Sequence, residues 1–468
     1  MKFGGTSVGD GSRIRGVVKI IKDHIDLGSK VVVVVSALNG VTDTILKIAE
    51  QAASGDQDAV DKVVGRLGRR HRDAAEEALS DRELLKRTMR KIEELIAEFE
   101  RVLVSVSTLK ELTARSQDYL LSFGEKLSTT IVHASLVDVG VNAIMFTGGE
   151  AGIVTDDHFG EAIPLMKVTA HRVRKKLSSM VEEGVTPIVT GYIAADQDGI
   201  TTTLGRGGSD YTATIIGYSL DVDAVWIWTD VDGLMTADPQ IEPSARTINS
   251  ISYAEGMELV YFGAKAMHPK ALEPALEKEI PVFIKNAFNP EGRGTCIGKD
   301  QLVISKNVVK AVAIIRDTAL ITVGGAGMIG TPGVAARVFG ILGENRINIL
   351  MISQSSSEAN ISILLRKGDL DKAVNLLELA FLGKGMIREV SFEEDVCVIA
   401  VVGAGMRGAI GVASRIFGAV AKESVNVRVI AQGSSELNVS FVVGREDVEK
   451  AVKALHQEFK LGVHEQTS

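Results

Sequence analysis

Cysteine is almost missing from this chain: its 468 residues contain two, Cys296 and Cys397, in different regions. That excludes a disulfide framework, and no Cys/His spacing points to a metal centre. Long apolar runs are missing too. VVVVV at Val31–Val35 falls far below the roughly 18 residues that cross a bilayer. The opening MKFGG has no apolar signal-peptide core, so the expectation is a cytoplasmic protein with no membrane partner. Basic charge is in deficit, with 52 Lys and Arg against 60 Asp and Glu and a net charge of −8. A general nucleic-acid binder needs a basic surface to neutralise phosphate, so no nucleic-acid partner is expected. The one basic cluster, GRLGRRHR at Gly65–Arg72, is followed by Glu76 and Glu77 and reads as a solvated helix face.

What is present is apolar material, 45% of residues against 24% charged, enough for sizeable cores in about three domains. Up to residue 300, short β-rich runs alternate with helical patterns. The runs are Val31–Ser36, Thr186–Thr190, Ala224–Thr229 and Pro281–Lys285. This alternation predicts an α/β domain over residues 1–300, a mostly parallel sheet sandwiched by helices. Between Ala59 and Leu121 the chain is mostly helical. Ile92, Leu95, Ile96, Phe99, Val102, Leu103 and Val106 follow the spacing of one amphipathic face.

Beyond residue 300 the sequence repeats. TPGVAARVFGIL from Thr331 returns as AIGVASRIFGAV from Ala409, Gln354 returns as Gln432 and Asn360 as Asn438, at a constant offset. Each copy reads as a βαββαβ unit, over residues 301–390 and 391–468. Each also carries G-x-G-x-x-G, as GAGMIG at Gly325–Gly330 and GAGMRG at Gly403–Gly408. A dinucleotide fold needs an acid about 20 residues further on, at the end of the second strand. Here those strands end in Gln354 and Gln432 and run into polar turns, so no dinucleotide is expected. The glycines instead bring backbone N–H groups close to a small ligand at a helix N-terminus.

With its glycine loop, GVA before the helix, Ile347–Asn348 matched by Val425–Asn426, and an SSE-x-N-[IV]-S hairpin, the repeat resembles the ACT domain. That resemblance implies paired units that hold an amino-acid effector. It assigns Gly327, Gly330, Gly333, Asn348, Gln354, Asn426 and Gln432 to the effector, and a homodimer or dimer of dimers to the assembly. VVKAVAII, Val308–Ile315, is an extra strand ahead of the first copy, and in similar proteins such a strand joins the second unit.

Three loops stand near the C-terminal ends of predicted strands: KFGGTSVG (Lys2–Gly9), TLGRGGSDYTA (Thr203–Ala213) and WTDVDGLMTADP (Trp228–Pro239). Open α/β sheets place their ligands there. Glycine loops expose N–H groups to phosphate oxygens, and lysines neutralise charge that develops in transfer. There is no G-x-x-x-x-G-K-[ST] and no H-R-D or D-F-G triplet, so neither a P-loop enzyme nor a protein kinase is expected. Together with VSALNGVT, SFGE and FGAKAMHP, the ordered motifs resemble the aspartokinases of the amino-acid kinase family.

The resemblance implies transfer of the γ-phosphoryl of ATP, its Mg2+ carried on the phosphates, to the β-carboxylate of L-aspartate. The product, 4-phospho-L-aspartate, opens the route to lysine, threonine and methionine. A side-chain carboxyl with a pKa of about 3.9 is already ionised at neutral pH, so no general base is required. By the same resemblance, Lys2, Asp210 and Lys265 are catalytic, and Ser36, Thr42, Glu125 and Arg206 hold aspartate. Lys2, Phe3, Gly4, Gly5, Thr229, Asp230, Met235, Gln240 and Lys265 lie against the nucleotide.

Plainer readings stand beside these. Ser36 ends a strand, Thr42 suits a helix cap, Thr229–Asp230 suits turn chemistry, and Arg206, Glu125 and Asp210 suit an internal ion-pair network. His268 reads as structural. Met235 and Gln240 depart from the family, which has tyrosine and arginine there. That leaves two alternatives to the kinase: a catalytically weak amino-acid sensor, or a related kinase for another small acid. For the effector, a buried lysine ammonium needs an acidic partner. Leu350 stands where lysine-sensitive relatives carry one, so threonine is expected over lysine.

Overall fold

Lys2 and Phe3 form a strand only two residues long, and the first unit is built around it. Lys2 pairs in parallel register with Val34 on one side and Ile227 on the other. The full order across the sheet is Ala143–Phe146, Thr186–Thr190, Val33–Val35, Lys2–Phe3, Val225–Thr229, Val282–Asn286, Thr295–Gly298 and Ser250–Ser252. The first six run parallel, and Thr295–Gly298 lies antiparallel to its Val282–Asn286 neighbour. Strands covered on both faces must be apolar throughout, and Val33, Val34 and Val35 are all buried. An aromatic row ties the strands together: Phe3 stacks on Trp228 at 5.9 Å, Trp228 on Trp226 at 5.9 Å, and Trp226 meets Phe283 at 5.0 Å.

The computed structural model describes residues 1–263, 267–299, 308–381 and 387–463. Helices Gln57–Ala78, Arg82–Leu109 and Ala114–Asp138 fill the helical stretch. Ile92, Leu95, Ile96, Phe99, Leu103 and Val106 are buried as their spacing requires, and Val102 is half-buried at the edge of that face.

The chain crosses between two units several times, where the sequence suggested one break near residue 300. Met235–Ile248 and Ala254–Ala264 belong with the C-terminal unit. Long-range polar contacts explain this. The Thr236 carbonyl accepts the Val312 N–H at 2.8 Å, its hydroxyl meets His456 Nε2 at 3.0 Å, and Arg246 Nε donates to the Leu461 carbonyl at 2.7 Å. From helix Tyr253–Tyr261, the buried Glu255 pairs with Lys310 Nζ at 2.8 Å and accepts the Ala404 N–H at 2.6 Å.

The C-terminal unit holds one antiparallel sheet in the order Ile349–Gln354, Asn360–Arg366, Ala311–Gly324, Glu389–Val402, Asn438–Gly444 and Val429–Gln432. Its 14-residue strand Ala311–Gly324 serves both sequence copies. Thr318–Gly324 pairs with Asn360–Arg366 of the first copy, and Ala311–Ile315 pairs with Val398–Val402 of the second. A register shift between Ile315 and Thr318 separates the halves. The last strand of the second copy therefore comes from the front of the repeat region. Each copy keeps its own core, around Val338, Ile363 and Phe381 in one and Ile416, Phe441 and Leu455 in the other.

Candidate active site

Parallel strands end on one edge, so the loops that follow them meet. The Gly4 N–H donates to the Trp228 carbonyl at 3.1 Å, Ser36 N–H to Phe3 at 3.2 Å, and Gly191 N–H to Val35 at 2.8 Å. These bonds fix the ends of four neighbouring strands. Gly5 allows the loops to close up, because a Cβ there would stand 2.8 Å from the Ala37 carbonyl. Lys2 Nζ lies 2.6 Å from Asp210 Oδ1, with both side chains about one-tenth exposed. The contact is an ion pair rather than an aligned hydrogen bond. Asp210 sits in the first turn of helix Gly208–Leu220, which begins after Gly207 in the left-handed region at φ 74°. A Cβ on Gly207 would fall 2.2 Å from His268 Cβ, so both conformation and space demand glycine there.

Glu125 is buried within helix Ala114–Asp138. Its Oε1 accepts the Ala37 N–H at 3.3 Å, while Oε2 has no partner. Burial pushes its carboxyl up to about 8, against the lowering pull of the Ala37 bond. An orphaned buried carboxylate oxygen is costly unless a donor arrives. One turn further along, Ser128 Oγ donates to the Ser36 carbonyl at 2.6 Å and holds that strand end. Asp118 is buried in the same helix and accepts N–H groups from Gly160 at 2.9 Å and Thr203 at 2.8 Å, plus the Thr203 hydroxyl at 2.8 Å. Burial raises its pKa despite these bonds, and they anchor the strand that leads into the G-R-G-G-S-D loop.

Ser36 is half-buried at its strand end. Helix Val41–Ala53 is capped by Gly40 without a side-chain bond, so Thr42 is not its cap. Arg206 is exposed and Asp210 is taken by Lys2, so the internal Arg206–Glu125–Asp210 network does not form. The Thr229 hydroxyl donates to Asp230 Oδ1 at 3.1 Å, and the Thr229 carbonyl accepts the Ala287 N–H at 2.9 Å. Met235 and Gln240 belong to the C-terminal unit. There Met235 bridges Thr247, and the Gln240 N–H bonds Asp238 Oδ1 at 3.0 Å. Lys265 lies outside the described residues.

Two residues here escaped the sequence reading. The Ser7 hydroxyl is buried in the glycine loop without a partner. Tyr192 adopts φ 67°, packs where a Gly208 Cβ would otherwise reach it at 2.8 Å, and has its phenol pushed up to about 12, mainly by burial. No local signal marks a tyrosine for the left-handed region.

In the first C-terminal copy, Gly330, Gly333 and Gln354 line a concavity of about 300 Å3, together with Met328, Thr331 and Glu358. Gly333 begins helix Val334–Glu344 at φ 88°. The Gly327 carbonyl accepts the Thr331 hydroxyl at 2.8 Å. Asn348 is exposed and not part of the lining, and Asn426 and Gln432 are exposed on the second copy. Glu358 was missed as a lining residue. Its Oε2 accepts the Gly330 N–H at 3.0 Å, and Glu436 repeats the contact with Gly408. The signal was the glutamate kept in both SSE turns.

The amino acid kinase family model matches residues 1–286, and the ACT domain model matches residues 321–381 and 399–459. Aspartokinase 1 of Arabidopsis thaliana, a chloroplastic protein, is 33% identical over 98% of this chain and 79% of its own length. The chain belongs to the aspartokinases of the amino acid kinase family. The chloroplastic bifunctional aspartokinase/homoserine dehydrogenase of Daucus carota is also 33% identical, over 98% of this chain and 50% of the relative. The solved structure of E. coli aspartokinase III with aspartate and ADP, an R-state, superposes with a TM-score of 0.83 at 30% identity, covering 98% of both chains. Its T-state with lysine and aspartate gives a TM-score of 0.78 at 31% identity and the same coverage. Membership makes this chain an ATP-dependent kinase. No helix among its described residues is long and apolar enough to cross a membrane.

Proposed function

We propose that this aspartokinase transfers the γ-phosphoryl of ATP to the β-carboxylate of L-aspartate, giving 4-phospho-L-aspartate for lysine, threonine and methionine synthesis. The observation that carries the substrate assignment is the orphaned, buried Oε2 of Glu125, which a substrate α-ammonium satisfies. Arg206, exposed on the G-R-G-G-S-D loop, takes the α-carboxylate through its planar fork. Ser36 and Thr42 add hydroxyls at the strand end. Aspartate then enters as its own ionised nucleophile, and catalysis rests on positioning and charge neutralisation.

Lys2 meets the transferring phosphoryl group, and Asp210, 2.6 Å away, fixes the direction of its ammonium. Lys265 is assigned beside it by sequence. Gly4, Gly5 and the Ser7 hydroxyl face the phosphates, Thr229 and Asp230 lie along the nucleotide, and Phe3, assigned there by sequence, is fully buried against Trp228. Met235 and Gln240, assigned to the nucleotide by sequence, both belong to the C-terminal unit. Mg2+ arrives on the ATP phosphates, as is usual for a cation that keeps much of its own water.

An amino-acid effector regulates the enzyme through the Gly330–Gly333 concavity, and threonine is favoured over lysine. Glu358 brings an acid to that concavity, but the Gly330 N–H already holds it, and the second copy repeats the contact. It reads as a staple of the repeat. The adjoining strand carries Leu350 and Ile352, which suit no ammonium. Pairing of the ACT units makes the enzyme a homodimer or a dimer of dimers. Coupled ADP release with MgATP tests the reading. It is expected with aspartate, not with glutamate, and inhibited by threonine at lower concentration than by lysine. Equal rates with glutamate, or inhibition by lysine first, would overturn the respective assignment.

A further inference from the structure

GRLGRRHR reads in sequence as a solvated face, and Arg66 and Arg69 are exposed, but the same face also walls a cavity. Helix Gln57–Ala78 sets Arg66, Arg69 and Arg70 along one side of a cavity of about 360 Å3. Gly9 and Asp10, where the glycine loop turns into helix Gly11–Asp26, form the other side. The two helices meet closely enough to fix this cleft. A Cβ on Gly11 would come within 2.5 Å of the Ala74 carbonyl and 2.8 Å of the Ala78 nitrogen.

The lining sets Arg66, Arg69 and Arg70 against Asp10, Asp73 and Glu77, but two of those acids are engaged by arginines outside it. Asp10 caps its helix through the Arg13 N–H at 2.9 Å and pairs with Arg13 Nε at 3.2 Å. Glu77 pairs with Arg15 Nη2 at 3.7 Å. Asp73 is the remaining acid of the lining, set against three guanidinium groups. Arg70 Nη2 donates to the Gly9 carbonyl at 3.3 Å. Arg66 and Arg69 are exposed, with no carboxylate partner among the described residues. Arginines three and four positions apart on a helix repel one another. The Arg70 pKa is lowered, first by burial and then by Arg66, against the pull of Asp10.

We propose that this cleft is a second anion site, binding a small phosphate-bearing anion of the charge and size of pyrophosphate. Guanidinium forks match phosphate oxygens two at a time, and the bound charge relieves the crowding of Arg66, Arg69 and Arg70. The site is coupled to the glycine loop. Arg70 holds Gly9, and Arg13 Nη1 donates to the Thr6 carbonyl at 2.9 Å. An anion that draws on Arg70 acts on the loop that begins with Lys2.

Calorimetric titration of sodium pyrophosphate into the full chain, with ADP saturating the nucleotide site, tests this. One saturable event is expected, weakened at least tenfold in the Arg66→Gln/Arg69→Gln double variant and weakened by added salt. Arg66→Lys/Arg69→Lys keeps the charge without the fork and is expected to fall between. It also serves if the glutamine variant fails to fold. A sugar phosphate is expected to compete with pyrophosphate, whereas citrate is expected to bind much less well. No event in the unaltered chain, or binding by both double variants as tight as in the unaltered chain, would overturn the site. Citrate binding as tightly as pyrophosphate would overturn its assignment to phosphate.

Discussion

Replacing Glu125 by glutamine is expected to remove a loss of stability that the unaltered protein suffers as pH rises above about 5. Unfolding free energy falls with rising pH wherever the native state holds more protons than the unfolded chain. Glu125 has that effect between its ordinary value of 4.5 and about 8, because burial disfavours its charged form. At about 1.36 kcal/mol for each pH unit, the loss across the full range reaches at most about 5 kcal/mol. About 3.5 kcal/mol of it falls between pH 5 and pH 8. Glutamine keeps an acceptor for the Ala37 N–H and carries no proton to lose. Urea unfolding followed by tryptophan fluorescence isolates the relevant unit, since both tryptophans, Trp226 and Trp228, lie on its Val225–Thr229 strand. The wild-type curve is expected to lose stability relative to Glu125→Gln from pH 5 to pH 8, by up to that amount. Added L-aspartate should restore part of the wild-type loss and none in the variant. Parallel curves across this range would refute the argument that Glu125 is held as an orphaned acid.

Other perturbations follow from single contacts. Asp210→Asn leaves the Lys2 ammonium buried without its counter-charge; kcat is expected to fall by about 100-fold or more and stability by about 3 kcal/mol, read by steady-state kinetics and urea unfolding. Glu255→Ala strands Lys310 and the Ala404 N–H and is expected to cost about 3–5 kcal/mol, seen as a lower midpoint for the C-terminal unit. Gly11→Ala drives a methyl into the Ala74 and Ala78 backbone and is expected to cost about 1–3 kcal/mol. Gly16→Ala, five residues along the same helix with nothing within 4 Å, is expected to gain about 0.5–1 kcal/mol; the two thermal shifts should have opposite signs.

The sequence carried what is local. A run such as Val33–Val35 can be read as a doubly covered strand because burial on both faces leaves no polar position. The K-F-G-G, G-R-G-G-S-D and T-D-V-D-G loops are legible because glycine marks the conformations they need. The tandem repeat is legible because each copy must rebuild its own core. What stayed hidden depends on distant partners. Nothing near Thr236 announces that its hydroxyl will meet His456, so the excursions of Met235–Ile248 and Ala254–Ala264 into the C-terminal unit could not be foreseen. Pairing of Ala311–Ile315 with Val398–Val402 was suggested by family resemblance alone. Tyr192 in the left-handed region contradicts its own propensity, and the packing of Gly208 against it is visible only once folded. Arg66 and Arg69 of helix Gln57–Ala78 are exposed, as the sequence suggested, but the opposing wall at Gly9 and Asp10 was hidden because it lies some 60 residues earlier.

On the proposed function, phosphate passes to a carboxylate and forms an acyl phosphate. Hydroxylamine intercepts such a species as a coloured hydroxamate. The full chain is incubated with MgATP, hydroxylamine and either L-aspartate or no amino acid, beside Asp210→Asn as a control. Hydroxamate is expected with aspartate in the unaltered chain, and almost none in its absence or in the variant. ADP release without hydroxamate, or hydroxamate unchanged in Asp210→Asn, would contradict it.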